Sequence, residues 1–302
     1  MKTDTRVVSL LASGTEIICE LGMESSLVGR SHACDYPASV LTLPSLTMPK
    51  LAREPIQSAQ DTIRETLSVF RVDVEQLQQL QPDIIFTQPD TVRYGLTDAQ
   101  LTQAVKKVLG ADVRIVDLAP MSLADFANDI LRIAAELGVQ EEGEILSETL
   151  TSRMEEIALH TAQLSTRPSV ILIDWLDPLM VGGYWTPSLV EMAGGINLGI
   201  EPNQPLASIT VDELLAINPD MIVMSPCGYD IGTTYNELET LRQQPSWQKL
   251  KAVRGKRVFL ADGIQYFNRP GPRLLQSLEI LAEILHPKYF HFGHQGMGWV
   301  RL

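Results

Sequence analysis

One pattern occurs twice in this chain and limits its fold more than any other feature. Glu75-x-Leu77-x-x-Leu80-x-Pro82-Asp83-Ile84-Ile85 returns 137 residues later as Asp212-x-Leu214-x-x-Ile217-x-Pro219-Asp220-Met221-Ile222. In each copy, apolar residues three apart mark one face of a short helix. The Pro-Asp pair marks a turn, and the apolar run after it marks a buried strand. A helix, turn and strand repeated at mid-chain distance predicts two similar lobes. A length of 302 residues at 45% hydrophobic content supplies enough apolar surface for two ordinary cores.

The remaining periodicity agrees. Val7–Leu11 reads as a buried strand, and Ser13-Gly14-Thr15-Glu16 reads as a capping box opening a helix that stops at Gly22, with Cys19 as a core thiol. A helix over 98–109 and strands over 84–87 and 113–116 continue the alternation, which implies a mostly parallel sheet with helices on both faces. Ser122-Leu123-Ala124-Asp125 forms a second capping box before Phe126, Ile130, Ile133 and Leu137, which recur on one face. A longer helix is expected over 141–164, with Leu146, Leu150, Met154, Ile157 and Leu164 on one stripe. At about 1.5 Å per residue it is long enough to bridge two lobes. Beyond it, strands over 170–173, 221–224 and 258–261 and helices over 187–193, 211–217 and 271–285 make the second lobe. The expected division is 1–120 for the first lobe, 121–165 for the connecting helices, 166–288 for the second lobe, and an aromatic tail over 289–302 docked on that second lobe.

A net charge of −13 argues against nucleic-acid binding, which needs a basic face. The apolar run at Val7–Ala12 is too short for a signal-peptide core, and nothing approaches the roughly 18 apolar residues of a membrane span. As written, the chain is expected in the cytoplasm, or in the periplasm or at the cell surface if a leader has been removed. Three cysteines make no disulfide framework. A monomer is expected.

Chemistry is expected on loops at the carboxyl ends of strands, where ligands bind in open α/β sheets. Gly29–Pro37 holds His32, Cys34, Asp35 and Tyr36; the loop after Thr87 holds Tyr94. Beyond Ile173 come Asp174, Trp175, Asp177, Tyr184 and Trp185, and beyond Met224 come Cys227 and Tyr229. A last loop carries Tyr266, Phe267, Arg269 and Arg273. Exposed aromatics grip flat, partly apolar ligands. His32, Cys34 and Cys227 make a soft set suited to a thiophilic metal of unknown identity, or to an axial position on a cofactor metal. Lining a cleft without metal, or lying inert in the core, are the other readings of the two thiols. No Gly-x-Ser-x-Gly elbow, Walker loop, dinucleotide fingerprint or His-Glu-x-x-His occurs.

Several motifs together resemble a known family: Val8-Ser9-Leu10-Leu11-Ala12-Ser13-Gly14-Thr15-Glu16, Gly29-Arg30-Ser31-His32-Ala33-Cys34-Asp35-Tyr36-Pro37, Asp174-Trp175-Leu176-Asp177-Pro178, Pro226-Cys227-Gly228-Tyr229 and Tyr266-Phe267-Asn268-Arg269-Pro270-Gly271-Pro272-Arg273. They are similar to the cobalamin-binding branch of the iron-siderophore and cobalamin substrate-binding superfamily, across about residues 6–287. The resemblance implies two Rossmann-like lobes joined by one long backbone helix, with a ligand cleft between lobes and no enzymatic activity. It implies a cobalamin-like corrinoid as ligand, held by Trp175, Tyr184, Trp185, Tyr229 and Tyr266, with Arg269 and Arg273 meeting propionamide or phosphate oxygens. It also implies delivery to an ABC importer permease when the protein is exported. Relatives of this branch often carry Cys-x-x-Cys where this chain has Asp90-Thr91-Val92-Arg93. The alternatives are a cytoplasmic metal or redox protein, or an enzyme on the same fold using His32, Cys34 and Cys227, and an iron-siderophore or haem binder.

Overall fold

The repeat seen in the sequence is a structural repeat, and its two aspartates do the same work. In the computed structural model, which describes residues 5–52 and 54–302, helix Val74–Leu80 and strand Ile84–Thr87 have counterparts in helix Val211–Ile217 and strand Met221–Met224, each 137 residues on. Both helices are capped at corresponding positions. Asp73 accepts the Gln76 N–H and Thr210 accepts the Glu213 N–H, while Gln81 and Asn218 close the carboxyl ends in the left-handed conformation. The turn aspartates then reach sideways to the next strand: Asp83 accepts the Arg6 N–H at 2.7 Å, and Asp220 accepts the Ser169 N–H at 2.9 Å. Each Pro-Asp turn therefore ties a helix end to the start of the central strand of its own sheet.

The chain divides into two compact units. The first takes the described residues up to Ala119 with Asn128–Ser147; the second takes Pro120–Ala127 with Glu148–Leu302. The first unit contains β1 (Val7–Ser9), β2 (Leu27–Arg30), β3 (Thr47–Met48), β4 (Arg71–Val72), β5 (Ile84–Thr87) and β6 (Arg114–Asp117). Four of them form a parallel sheet in the order β2-β1-β5-β6, and β3 pairs with β4 antiparallel. Parallel strands need crossovers, supplied here by α1 (Ala12–Glu20), α2 (Ala59–Thr66), α3 (Val74–Leu80) and α4 (Asp98–Val108). Val8, Leu10, Leu46, Ile63, Leu67, Leu77, Ile85 and Leu101 are among the side chains of its core.

Two long helices, α5 (Leu123–Leu137) and α6 (Gln140–Ala162), cross the division between the units. The α5 face predicted from spacing is the buried one: Phe126, Ile130, Ile133 and Leu137 are all buried, and Ser122 accepts the Asp125 N–H at 3.0 Å. On α6, Leu150, Met154 and Ile157 are buried, whereas Leu164 lies past the helix end.

The second unit has a seven-stranded sheet in the order β10-β8-β7-β11-β12-β13, with β9 added beside β7. Its strands are β7 (Ser169–Leu176), β8 (Leu179–Val181), β9 (Ile196–Asn197), β10 (Ala207–Ser208), β11 (Met221–Met224), β12 (Val258–Ala261) and β13 (Trp299–Arg301). Helices α7 (Thr186–Met192), α8 (Val211–Ile217), four short helices α9 (Ile231–Glu237), α10 (Glu239–Arg242), α11 (Pro245–Lys249) and α12 (Lys251–Arg254), and α13 (Leu274–Leu285) accompany it. The last strand, β13, pairs antiparallel with β12. Buried Glu283 accepts N–H groups from Gly293, His294 and the Trp299 indole, which fastens this end of the chain to α13.

Three local expectations change. Helix α1 starts at Ala12, so Ser13 and Glu16 lie buried inside it rather than forming a capping box; Thr15 turns its hydroxyl to Ser9 instead. The expected loop after Ile173 is a β-hairpin, because β7 continues to Leu176 and returns as β8. Cys19 is only partly buried rather than a core thiol.

Candidate functional site

In the first unit, the loop after β2 is folded from within. The Arg30 guanidinium donates to the Ser31 and Cys34 carbonyls, both at 3.0 Å, and the Cys34 N–H closes a turn onto the Ser31 carbonyl. This turn drives the Cys34 side chain inward. Its sulfur accepts from the Thr15 hydroxyl at 3.0 Å and lies 3.8 Å from the Ser9 carbonyl, at 1% exposure. Cys34 is thus a buried thiol of the sheet edge, which corrects its expected place facing a ligand or metal. Among the described residues no three His, Cys, Asp or Glu side chains gather into a metal site.

His32, two residues earlier, points the other way and stays partly exposed. Its Nδ1 lies 2.7 Å from the Thr47 hydroxyl, which also accepts the His32 N–H at 3.0 Å. The Phe70 ring packs edge-on at 4.5 Å between centroids. Burial, with the Arg30 charge behind it, pushes the imidazole below its ordinary value. Beside it Tyr36 is exposed and Asp35 is partly buried. The loop after β5 is tied down: Lys50 bonds Asp90 at 2.9 Å and lies 5.4 Å over the Tyr94 ring. The Tyr94 hydroxyl donates to Glu65 at 2.8 Å; burial, and then Glu65, push it up to about 12.

In the second unit, strand ends concentrate unusual backbone. The β7–β8 register shifts between Ile173 and Trp175, leaving Asp174 as an extra residue of the kind that re-aims side chains beside sites. Asp174 turns inward to 5% exposure, where its Oδ1 has no hydrogen-bond partner. Burial pushes its carboxyl up to about 7, against the opposing effect of the Gly183 N–H it accepts. Gly182 must lack a side chain, since a Cβ there would stand 2.8 Å from the Asp174 Oδ2. On the neighbouring strand end, the Ser225 hydroxyl is likewise buried without a partner. The exposed Cys227 donates its N–H to the Asp174 carbonyl at 3.0 Å. Its thiol is pushed up by desolvation and by the Asp174 charge, with Arg269 opposing.

Trp175 follows Asp174 on the opposite side of the strand, exposed, with its indole N–H on the Asp177 carbonyl at 2.8 Å. Its ring lies 5.8 Å from that of Tyr229, tilted by 47°. The two rings, with Leu179, Ile209, Leu238 and Leu241, belong to the wall of a pocket of about 410 Å³. That volume falls within the range of small-molecule pockets, roughly 300–1,000 Å³.

The other expected residues divide. Tyr184 is partly exposed and stacks on Trp185 at 5.8 Å, and Tyr266 meets His294 edge-on at 6.3 Å. Trp185 and Phe267, however, are buried at 8% and 1%, with the Trp185 indole N–H on the Phe267 carbonyl at 2.7 Å. Arg273 is buried at the start of α13, and Arg269 is partly buried. Trp185, Phe267 and Arg273 are corrected from ligand-facing to packing positions. Tyr184 and Phe267 both hold φ in the left-handed region, at 55° and 63°. Such strain in non-glycine residues clusters at ligand sites. Sequence reasoning missed Thr47 and Phe70, which hold His32, and the α9–α10 wall of the pocket.

Comparison with known proteins follows this geometry. Residues 7–264 match the family described as periplasmic binding protein. The vitamin B12-binding protein of Vibrio cholerae is 22% identical over 290 residues, covering 93% of this chain and 88% of that protein. An uncharacterised ABC transporter substrate-binding lipoprotein of Bacillus subtilis is 22% identical over 294 residues, covering 96% of this chain and 82% of its own. The structure of a periplasmic heme binding protein from Pseudomonas aeruginosa superposes with a TM-score of 0.71 at 23% identity, over 94% of this chain and 93% of that one. These findings overturn the expected cytoplasmic location, because the matching family and relatives are periplasmic proteins or lipoproteins.

Proposed function

Because the chain belongs to the periplasmic binding protein family, we propose that it binds a cobalamin-like corrinoid outside the cytoplasm and hands it to an ABC importer permease. It is a substrate-binding protein and not an enzyme, like the relatives it matches. The observation that carries the ligand reading is the pair formed by exposed Trp175 and partly exposed Tyr229 beyond the ends of adjacent strands β7 and β11. Two large rings within reach of solvent suit a broad, partly apolar macrocycle, which gains from area and stacking together. Tyr184 and Tyr266 add polar-tipped aromatic surface on the same unit. No described helix is long and apolar enough to cross a membrane.

Titration of the protein with cyanocobalamin, hydroxocobalamin and haem, read by calorimetry, tests this. The expected result is saturable binding of the two cobalamins, weakened about tenfold or more by Trp175→Ala, equivalent to about 1.4 kcal/mol. Binding of haem alone moves the ligand to the haem class. No binding of any of the three removes the reading.

A further inference from the structure

The pocket beside Trp175 and Tyr229 carries negative charge in its wall and no positive charge to balance it. All the residues that line it belong to the second unit, in the β7–β8 hairpin, the approach to α8 and the α9–α10 wall. Its floor is apolar, with Leu179, Leu238 and Leu241 buried. The exposed carboxylates of Asp177 and Glu237 line it as well, and none of its described lining residues is lysine, arginine or histidine. Glu213, which accepts from the hydroxyl of the lining Thr210 at 2.8 Å, adds a third negative charge next to the wall. Arg242 lies between the lining Leu241 and Gln244 in sequence, but its guanidinium is held 5.3 Å over the Tyr235 ring, which is not part of the wall. A carboxylate oxygen only accepts hydrogen bonds. A side group entering this pocket must therefore bring donors and no negative charge. The amides at the edge of a corrinoid meet that demand, and the propionates of a haem do not.

We propose that Asp177 and Glu237 make this pocket a charge filter, which accepts the amide-bearing edge of a corrinoid and rejects the same edge when it carries carboxylates. This rests on the corrinoid reading above. Trp175 and Tyr229 supply stacking area that favours any flat macrocycle alike, so discrimination falls to the polar wall. Repulsion between like charges grows as apolar surface displaces screening water, and the floor here is apolar. At about 410 Å³ the pocket takes one edge of a macrocycle and leaves the rest outside.

The probes are cyanocobalamin and its tricarboxylate, in which three propionamides are hydrolysed to propionates on the same macrocycle. At low salt the parent is expected to bind the tricarboxylate about tenfold or more weaker than cyanocobalamin. About 0.5 M sodium chloride is expected to narrow that gap by about threefold or more. The chain's net charge of −13 also repels the tricarboxylate, so a double variant isolates the two local charges. With Asp177→Asn and Glu237→Gln, which keep size and acceptors, the tricarboxylate is expected to gain about tenfold while cyanocobalamin affinity changes less than about threefold. Retained cyanocobalamin binding shows that the variant is folded, and the salt series on the parent needs no variant. Equal affinity of the parent for the two probes, a gap unmoved by salt, or a gap that persists in the double variant overturns the filter and leaves the corrinoid reading standing. Failure of the parent to bind cyanocobalamin removes both.

Discussion

Asp174 is a buried carboxyl that the fold leaves only about half ionised at neutrality, and replacing it should stabilise the protein at higher pH. Its acidity is pushed from 3.8 to about 7. At about 1.4 kcal/mol for each pKa unit, ionising it costs about 4 kcal/mol more in the folded chain than in the unfolded one. The sign follows from proton uptake: with the folded value raised, the favourable contribution is full below pH 4 and is lost as pH rises through about 7. About 2.5 kcal/mol of it should vanish between pH 5 and pH 8. Asp174→Asn keeps an acceptor for the Gly183 N–H and cannot ionise. The variant should therefore lack this slope and exceed the parent at pH 8 by up to a few kcal/mol. Urea unfolding at pH 5 and pH 8 measures both slopes, and their difference isolates this one group. A variant with the parent's slope, or one less stable than the parent at pH 8, would refute the argument that desolvation governs this carboxyl.

Two further substitutions test the framework. Glu283→Ala removes the acceptor of three N–H groups, from Gly293, His294 and Trp299, and should cost about 3 kcal/mol. Hydrogen exchange over 293–301 should rise most, while an unchanged denaturant midpoint would show the C-terminal strand is held by other means. Asp220, held down to about 2 by the Ser169 N–H first of all, contributes stability that is present above pH 4 and lost as pH falls through about 2. Asp220→Ala should cost about 1 kcal/mol at neutral pH after solvent screening and flatten the acid limb of the stability profile. A parent-like acid limb would sink that reading.

The fold was legible wherever local physics repeats itself. Helix Val211–Ile217 and strand Met221–Met224 stand where spacing puts them, because an apolar face, a Pro-Asp turn and a buried run each have one low-cost arrangement. Even the unread caps obey the repeat, Asp73 and Thr210 lying 137 residues apart. Strand β13 was not legible, since its partner β12 lies some forty residues back and only tertiary pairing reveals it. The hairpin β7–β8 was hidden for another reason: Asp177-Pro178 reads as the end of a strand, and here it is the turn between two.

The candidate site was legible as residue types and illegible as directions. His32 and Cys34 are two positions apart, yet one reaches solvent and the other is 1% exposed. In a strand, that spacing would put them on one face; the turn from Ser31 to Cys34, gripped by Arg30, breaks the alternation. Asp174 and Trp175 separate in the same way at the register shift of β7. In both units the residue beside the irregularity is buried with its polar atoms confined, and its neighbour is left facing out. A thiol and a carboxyl that look reactive in the sequence are therefore turned into the interior of their own units. On the second unit it is the outward-facing Trp175 ring, and not the buried carboxyl beside it, whose removal should weaken ligand binding in the titration.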